Sequence, residues 1–103
     1  RNGLQISGDT EQVMALESLK DKWTSFGWEV VEVSDGNNME ELLTAFRRIP
    51  SGGHRPHLVI ANTIKGKGVS FMENQPQWHH KVPTENEMGQ AKKELEAQIR
   101  EVR

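Results

Sequence analysis

The sequence predicts an α/β fold with a mostly parallel sheet covered by helices, a partial three-layer sandwich. Three features predict it. Trp28 to Val33 (WEVVEV) is aromatic and β-branched and runs straight into Asp35-Gly36, the pattern of a strand entering a turn. Leu58 to Ile64 (LVIANTI) is apolar and closed by Gly66 and Gly68. Its unbroken Leu58-Val59-Ile60-Ala61 start predicts burial on both faces, as in a parallel sheet covered by helices. Between the two runs, Met39, Leu42, Leu43, Phe46 and Ile49 recur at helical spacing, so strand, helix and strand form a βαβ unit with a right-handed crossover.

The remaining elements follow in chain order. Asn2 to Gly8 reads as a loop leaving a strand. Leu16, Leu19, Trp23 and Phe26 make a helical stripe, and Gly27 sits where a helix end favours a left-handed residue, so Trp28 can fold back on that helix. Asn38, three residues before Glu41, is a cap pair for the central helix, which stops before Pro50. Ser51 to Pro56 is a turn-rich loop. Thr84 with Glu87 forms a capping box that opens a final helix, whose stripe is Met88, Ala91, Leu95, Ile99 and Val102. The apolar stripes are assigned to the core.

Size and charge remove several functional classes. The chain has 103 residues, enough for one small domain and too few for two cores. Thirteen basic against 15 acidic residues leave a net charge of −2, which gives no field to draw in nucleic acid or anionic lipid. No apolar run approaches a membrane span, and no basic segment leads an apolar one as in a signal peptide. With no cysteine, disulfides, thiolate zinc sites and cysteine nucleophiles are excluded, which fits a cytoplasmic setting. A chain that opens on Arg1 reads as a piece of something longer.

Four segments have the chemistry for a site. Lys65-Gly66-Lys67-Gly68 follows a strand at the carboxyl edge, where open α/β sheets place ligands. It is read first as a solvated glycine turn and second as a phosphate contact. In Trp78-His79-His80 the imidazoles are read first as surface or packing groups and second as groups that transfer a proton or donate a hydrogen bond. Adjacent histidines in an extended loop point apart, and His54 and His57 lie scattered in another loop, so a shared metal is a poor fit. Asn2-Gly3-Leu4 is read first as a turn with its asparagine and second as an amide oxygen and a main-chain carbonyl, hard donors of the kind magnesium accepts. Asp35 to Asn38 reads as a turn and helix cap.

Taken together, NGLQISG, DKWTSFGWEVVEVSDG, ANTIKGKGVSFMENQPQWHHKVP and the trailing helix resemble the thiamine-diphosphate-binding N-terminal section of transketolase, in order and over essentially the whole chain. The wording TIKGKGVSFMEN followed by WHHKVP is closest to transketolases split into two subunits. The resemblance implies that residues 1–103 are the C-terminal portion of that section, an incomplete thiamine-diphosphate-binding fold. The family's cofactor motif opens with Gly-Asp-Gly and closes with an asparagine. Only the close is present, and Asn2 would be that residue, its side-chain oxygen on Mg2+ with the Leu4 carbonyl beside it.

Lys65 matches a lysine near the cofactor in animal-type members. One histidine of WHHKVP matches the family histidine that contacts cofactor and sugar: ungapped counting from Lys65 selects His79, and the H-x-x-P spacing selects His80. Asp35-Gly36-Asn37 resembles the family's Asp-Gly-His, with Asn37 in the histidine's place.

The implied activity moves a two-carbon ketol unit from a ketose phosphate to an aldose phosphate, as in the pentose phosphate pathway, with thiamine diphosphate and Mg2+. The implied partners are the rest of the thiamine-binding section and a pyrimidine-binding section or subunit, without which the 103 residues are expected to be inactive. Three other readings compete: a deoxyxylulose-phosphate synthase fragment, a non-catalytic α/β module for a phosphate-bearing ligand or a partner, and a purely structural α/β domain. Exposed strand edges also predict homo-oligomers, with dimers or larger species at high concentration. A sedimentation profile that stays monomeric there contradicts this.

Overall fold

The computed structural model describes residues 1–101, so the predicted helical position of Val102 falls outside the described residues. The chain forms a hairpin of β1 (Leu4–Gln5) and β2 (Gly8–Asp9), one helical turn α1 (Thr10–Val13), α2 (Leu19–Ser25), β3 (Glu29–Val33), α3 (Met39–Arg47), β4 (His57–Ala61), a 3₁₀ turn at Pro76–His79, and α4 (Glu85–Glu101).

The predicted βαβ unit is present. β3 and β4 pair in parallel, with Glu29 opposite His57 and Val33 opposite Ala61. His57, expected in a loop, therefore opens a strand; its Nε2 lies 2.9 Å from Glu29 Oε2 but outside hydrogen-bond geometry. The second strand stops at Ala61, short of the expected Ile64, because the next donors turn to different partners. Asn62 still serves β3, donating its N–H to the Val33 carbonyl at 3.0 Å and its Nδ2 to the same oxygen at 3.1 Å. Thr63 N–H goes to the Arg1 carbonyl at 2.8 Å, and Ile64 N–H to Asn37 Oδ1 at 2.7 Å. The Arg1 amine donates to the Ala61 carbonyl at 2.6 Å. Arg1 thus makes one parallel-type rung on the side of β4 away from β3, which places Asn2 to Leu4 at the exit of an extended segment.

Caps set the helix boundaries. Asn38 Oδ1 accepts the N–H groups of Glu40 and Glu41 at 2.9 and 3.4 Å, but the Glu41 carboxylate turns to the Asp35 N–H instead of closing a reciprocal box. Ser18 Oγ accepts from Asp21 N–H and starts α2 at Leu19. Leu16, predicted on that helix, precedes it with its N–H on the Glu11 carboxylate. Gly27 takes φ +88°, and Trp28 folds back edge-on against Trp23 with ring centroids 4.9 Å apart, both as the sequence predicts. At the N-terminus, where a plain loop is expected, two-residue strands and an Asp9-capped helical turn appear, each too short to leave a periodic signal.

The core is small. Val33, Ala45, Ile60, Val69 and Ala91 are buried. The molecule measures 51 × 39 × 16 Å with a radius of gyration of 17.0 Å, against about 13 Å for a compact chain of this length. A plate so thin cannot cover both sides of every element. Hence Ile60 alone is buried in β4, and the predicted core stripes are only partly used. Met39, Leu43 and Phe46 of α3, Met88, Leu95 and Ile99 of α4, and the capping residue Phe26 (80% exposed) face outward. No helix among the described residues is long and apolar enough to cross a membrane.

Gly36 locks the turn after β3 to the end of β4. Its N–H reaches the Asn62 carbonyl at 2.6 Å, and a Cβ there would lie 2.8 Å from Ala61 Cβ and 2.9 Å from the Asn62 oxygen. Gly36→Ala is expected to lower the unfolding free energy by about 1–3 kcal/mol through this overpacking. Unchanged urea denaturation of the variant contradicts the close approach.

Candidate functional site

The site lies where the carboxyl ends of the strands meet the Asn2 turn. Asn2 Oδ1 accepts the Leu4 N–H at 3.0 Å, which fixes the amide while leaving its oxygen a second lone pair. Gly3 then passes its carbonyl to Thr10 N–H at 2.8 Å, folding the hairpin back on itself. From the other end of the chain, Ile64 is held by Asn37, and the Lys65 carbonyl accepts the Asn74 N–H at 3.0 Å. Lys65 is thereby set beside Asn2 and Leu4. These three residues, with Gln5, Pro76 and His79, line a notch of ≈ 20 Å3.

His79 arrives there through the 3₁₀ turn. Pro76 starts the turn, and Trp78 anchors it by donating Nε1–H to the Phe71 carbonyl at 3.1 Å and by packing on the Phe71 ring at 5.5 Å. Lys81 Nζ sits 4.2 Å above the Trp78 ring. The adjacent histidines do not point apart as expected for an extended loop. His79 ends a 3₁₀ turn and His80 adopts φ −125°, ψ −10°, so the two rings meet edge to face at 4.5 Å. His79 lines the notch, and His80 is not among its lining residues.

Lys65-Gly66-Lys67-Gly68 is a turn whose last two amides are used internally. Lys67 N–H goes to the Ile64 carbonyl, Val69 N–H to that of Gly66, and Gly68 N–H to Glu73 Oε1. Gly66 has φ +73° and passes so close to Met72 that a Cβ would lie 2.6 Å from its carbonyl oxygen. The glycine is required by this turn. Lys67 is matched by Glu73 at 3.6 Å and Lys81 by Glu87, whereas among the described residues Lys65 has no carboxylate partner and keeps its charge for the notch.

A roomier hollow of ≈ 330 Å3 lies between β3 and α3. Its lining includes Glu32, Glu40 and Glu41 against the single cation Arg48, a field that repels phosphate, and it contains none of the expected site residues.

The donor set at the notch fits a magnesium diphosphate. An amide oxygen is a hard ligand, and a lysine offsets phosphate charge. At ≈ 20 Å3 the notch has room for about one water, so a diphosphate would meet it as one wall and not fit inside it. Among the described residues no cluster of three His, Cys, Asp or Glu could hold a metal, so further oxygens would have to complete the coordination. Gln5 and Pro76 carry no functional signal in the sequence: a lone glutamine in a two-residue strand has no pattern, and Pro76 is legible only as a turn residue.

Polar side chains gathered at the carboxyl ends of parallel strands define an open α/β ligand-binding fold with one cationic wall. The chain belongs to the family described as transketolase, thiamine diphosphate binding domain, which its residues 1–101 match. It is 50% identical over 99 residues to one of the subunits of the apulose-4-phosphate transketolase of Phocaeicola vulgatus, a match covering 96% of this chain and 35% of that protein. The subunit of the same name from Actinobacillus succinogenes is 43% identical, over 92% of this chain and 34% of its own. A 6-deoxy-6-sulfo-D-fructose transketolase subunit from a Clostridium species is 40% identical, over 92% of this chain and 34% of its own. The chain thus spans about a third of the length of these curated relatives.

The WHHKVP segment is tied to α4 by charge. Thr84 Oγ1 accepts the Glu87 N–H at 3.3 Å while Glu87 Oε2 accepts the Thr84 N–H at 2.8 Å, the predicted capping box. The Lys81 ammonium, followed by the Thr84 N–H, pulls the Glu87 carboxyl from its ordinary 4.5 down to about 2. A depressed carboxyl pKa adds stability above its unfolded value and loses it as pH falls through the folded one. Between about pH 5 and pH 2 the wild type is expected to lose more stability than Glu87→Gln. Parallel acid-denaturation curves contradict this.

Proposed function

We propose that this chain is the C-terminal portion of the thiamine-diphosphate-binding domain in one subunit of a two-subunit, cytoplasmic transketolase. There it helps move a two-carbon ketol unit between sugar phosphates. The observation that supports this reading is the meeting of Asn2 and Leu4 with Lys65 and His79, more than 60 residues further along, at one notch on the strand ends. The names of the relatives, which make each of them one subunit of a transketolase, support a partner chain that would carry the pyrimidine-binding part. The apulose-4-phosphate in two of those names supports a sugar-phosphate substrate.

When bound, thiamine diphosphate supplies the nucleophilic carbon and the electron sink for the transferred unit. The residues of this chain hold and orient. Asn2 Oδ1 and the Leu4 carbonyl offer hard oxygens to Mg2+, and Lys65 offsets the diphosphate charge. His79, at the notch, would present an imidazole to the bound sugar, able to donate a hydrogen bond to an oxygen on which charge develops. His80 supports the His79 ring and does not touch substrate.

In the full-length subunit combined with its partner, Lys65→Ala is expected to weaken cofactor binding about tenfold or more, the loss of a charge-assisted hydrogen bond. His79→Ala is expected to lower kcat about 100-fold or more with cofactor affinity little changed. Steady-state kinetics with titrated cofactor separate the two effects. Wild-type kinetics for both variants overturn the proposal, and a loss confined to His80→Ala reverses the histidine assignment.

A further inference from the structure

The position of Lys65 depends on the residue before it, and that residue is held by a side chain from a distant turn. At Ile64 the β3–β4 ladder has already ended, since its last rung is Asn62 N–H to the Val33 carbonyl. The Ile64 N–H therefore has no strand acceptor opposite it. Asn37 Oδ1 takes that place at 2.7 Å, 27 residues earlier in the chain. The acceptor is itself held: Asn37 N–H donates to Asp35 Oδ1 at 2.9 Å, Gly36 N–H to the Asn62 carbonyl at 2.6 Å, and Asn38 N–H to the Asp35 carbonyl at 3.0 Å. On the far side of Ile64, Asn74 N–H grips the Lys65 carbonyl. The backbone that carries the uncommitted lysine is thus clamped from both sides, and one clamp is a side chain.

We propose that Asn37 is a positioning residue, extending the sheet by one side-chain rung so that Lys65 is presented to the anionic ligand of the notch. Asn37 acts through Lys65 and does not itself touch the ligand. This rests on the reading of Lys65 as a diphosphate contact.

The test is a double-mutant cycle in the full-length subunit, read by calorimetric binding of magnesium thiamine diphosphate and by amide hydrogen exchange over residues 62–67. Asn37→Ala is expected to speed exchange at Ile64 about tenfold and to weaken binding about fivefold. In a Lys65→Ala background the same substitution is expected to weaken binding no further. Asn37→Asp, which keeps an acceptor oxygen at the same reach, is expected to retain slow exchange at Ile64. Fast exchange in Asn37→Asp, or unchanged exchange in Asn37→Ala, overturns the clamp. An additive loss in the double variant overturns the positioning role while leaving Lys65 as a ligand contact. If Lys65→Ala binds like the wild type, the diphosphate reading of Lys65 and this proposal both fail.

Discussion

The parallel pairing of β3 with β4 is the constraint on which the rest of the molecule depends. It fixes the register from Glu29–His57 to Val33–Ala61, and by ending both strands at one edge it decides where the polar loops emerge. Everything at the notch is suspended from the last residues of β4. Asn62 closes the ladder, Thr63 takes up Arg1 and with it the Asn2 turn, and Ile64 takes up Asn37. Three consecutive backbone N–H groups thereby bring together three parts of the chain. A single register shift would exchange these partners and scatter the site.

The chemistry at that edge comes from a division of labour among like residues. Of the lysines near the notch, Lys67 and Lys81 are paired with Glu73 and Glu87, and among the described residues Lys65 has no carboxylate partner. Of the adjacent histidines, His79 lines the notch and His80 packs edge to face on the His79 ring. Of the glycines in the same loop, Gly66 is required by the approach of Met72. The loop uses its Lys67 and Gly68 backbone donors to hold its own shape, and the notch gathers one side-chain cation, Lys65, beside Asn2 and Leu4.

What is legible in the sequence follows from the range of the forces involved. β3, α3, β4 and the caps at Asn38 and Thr84 are encoded locally, in alternation, period and hydrogen-bonding side chains, and the structure has them within a few residues. The exposure of Phe26, Phe46 and Met39 is not legible, because an apolar stripe states that a face prefers cover without stating what supplies it. The β1–β2 hairpin leaves no trace in a pattern two residues long. At the site, spacing alone makes Asn2 a turn residue and Lys65 part of a glycine turn. Their grouping with Leu4 and a WHHKVP histidine rests on the family resemblance, and the choice between His79 and His80 depends on a 3₁₀ turn where the sequence reads as a plain loop. Asn37 reads as a turn residue, and its bond to Ile64 spans a distance no local pattern records.

The 16 Å thickness carries one more consequence. A plate of this depth has almost no interior, so its folding equilibrium is open to anything that binds one of its broad sides. A ligand or protein that binds only the folded form would shift that equilibrium by mass action, and the apparent melting temperature would become a function of its concentration.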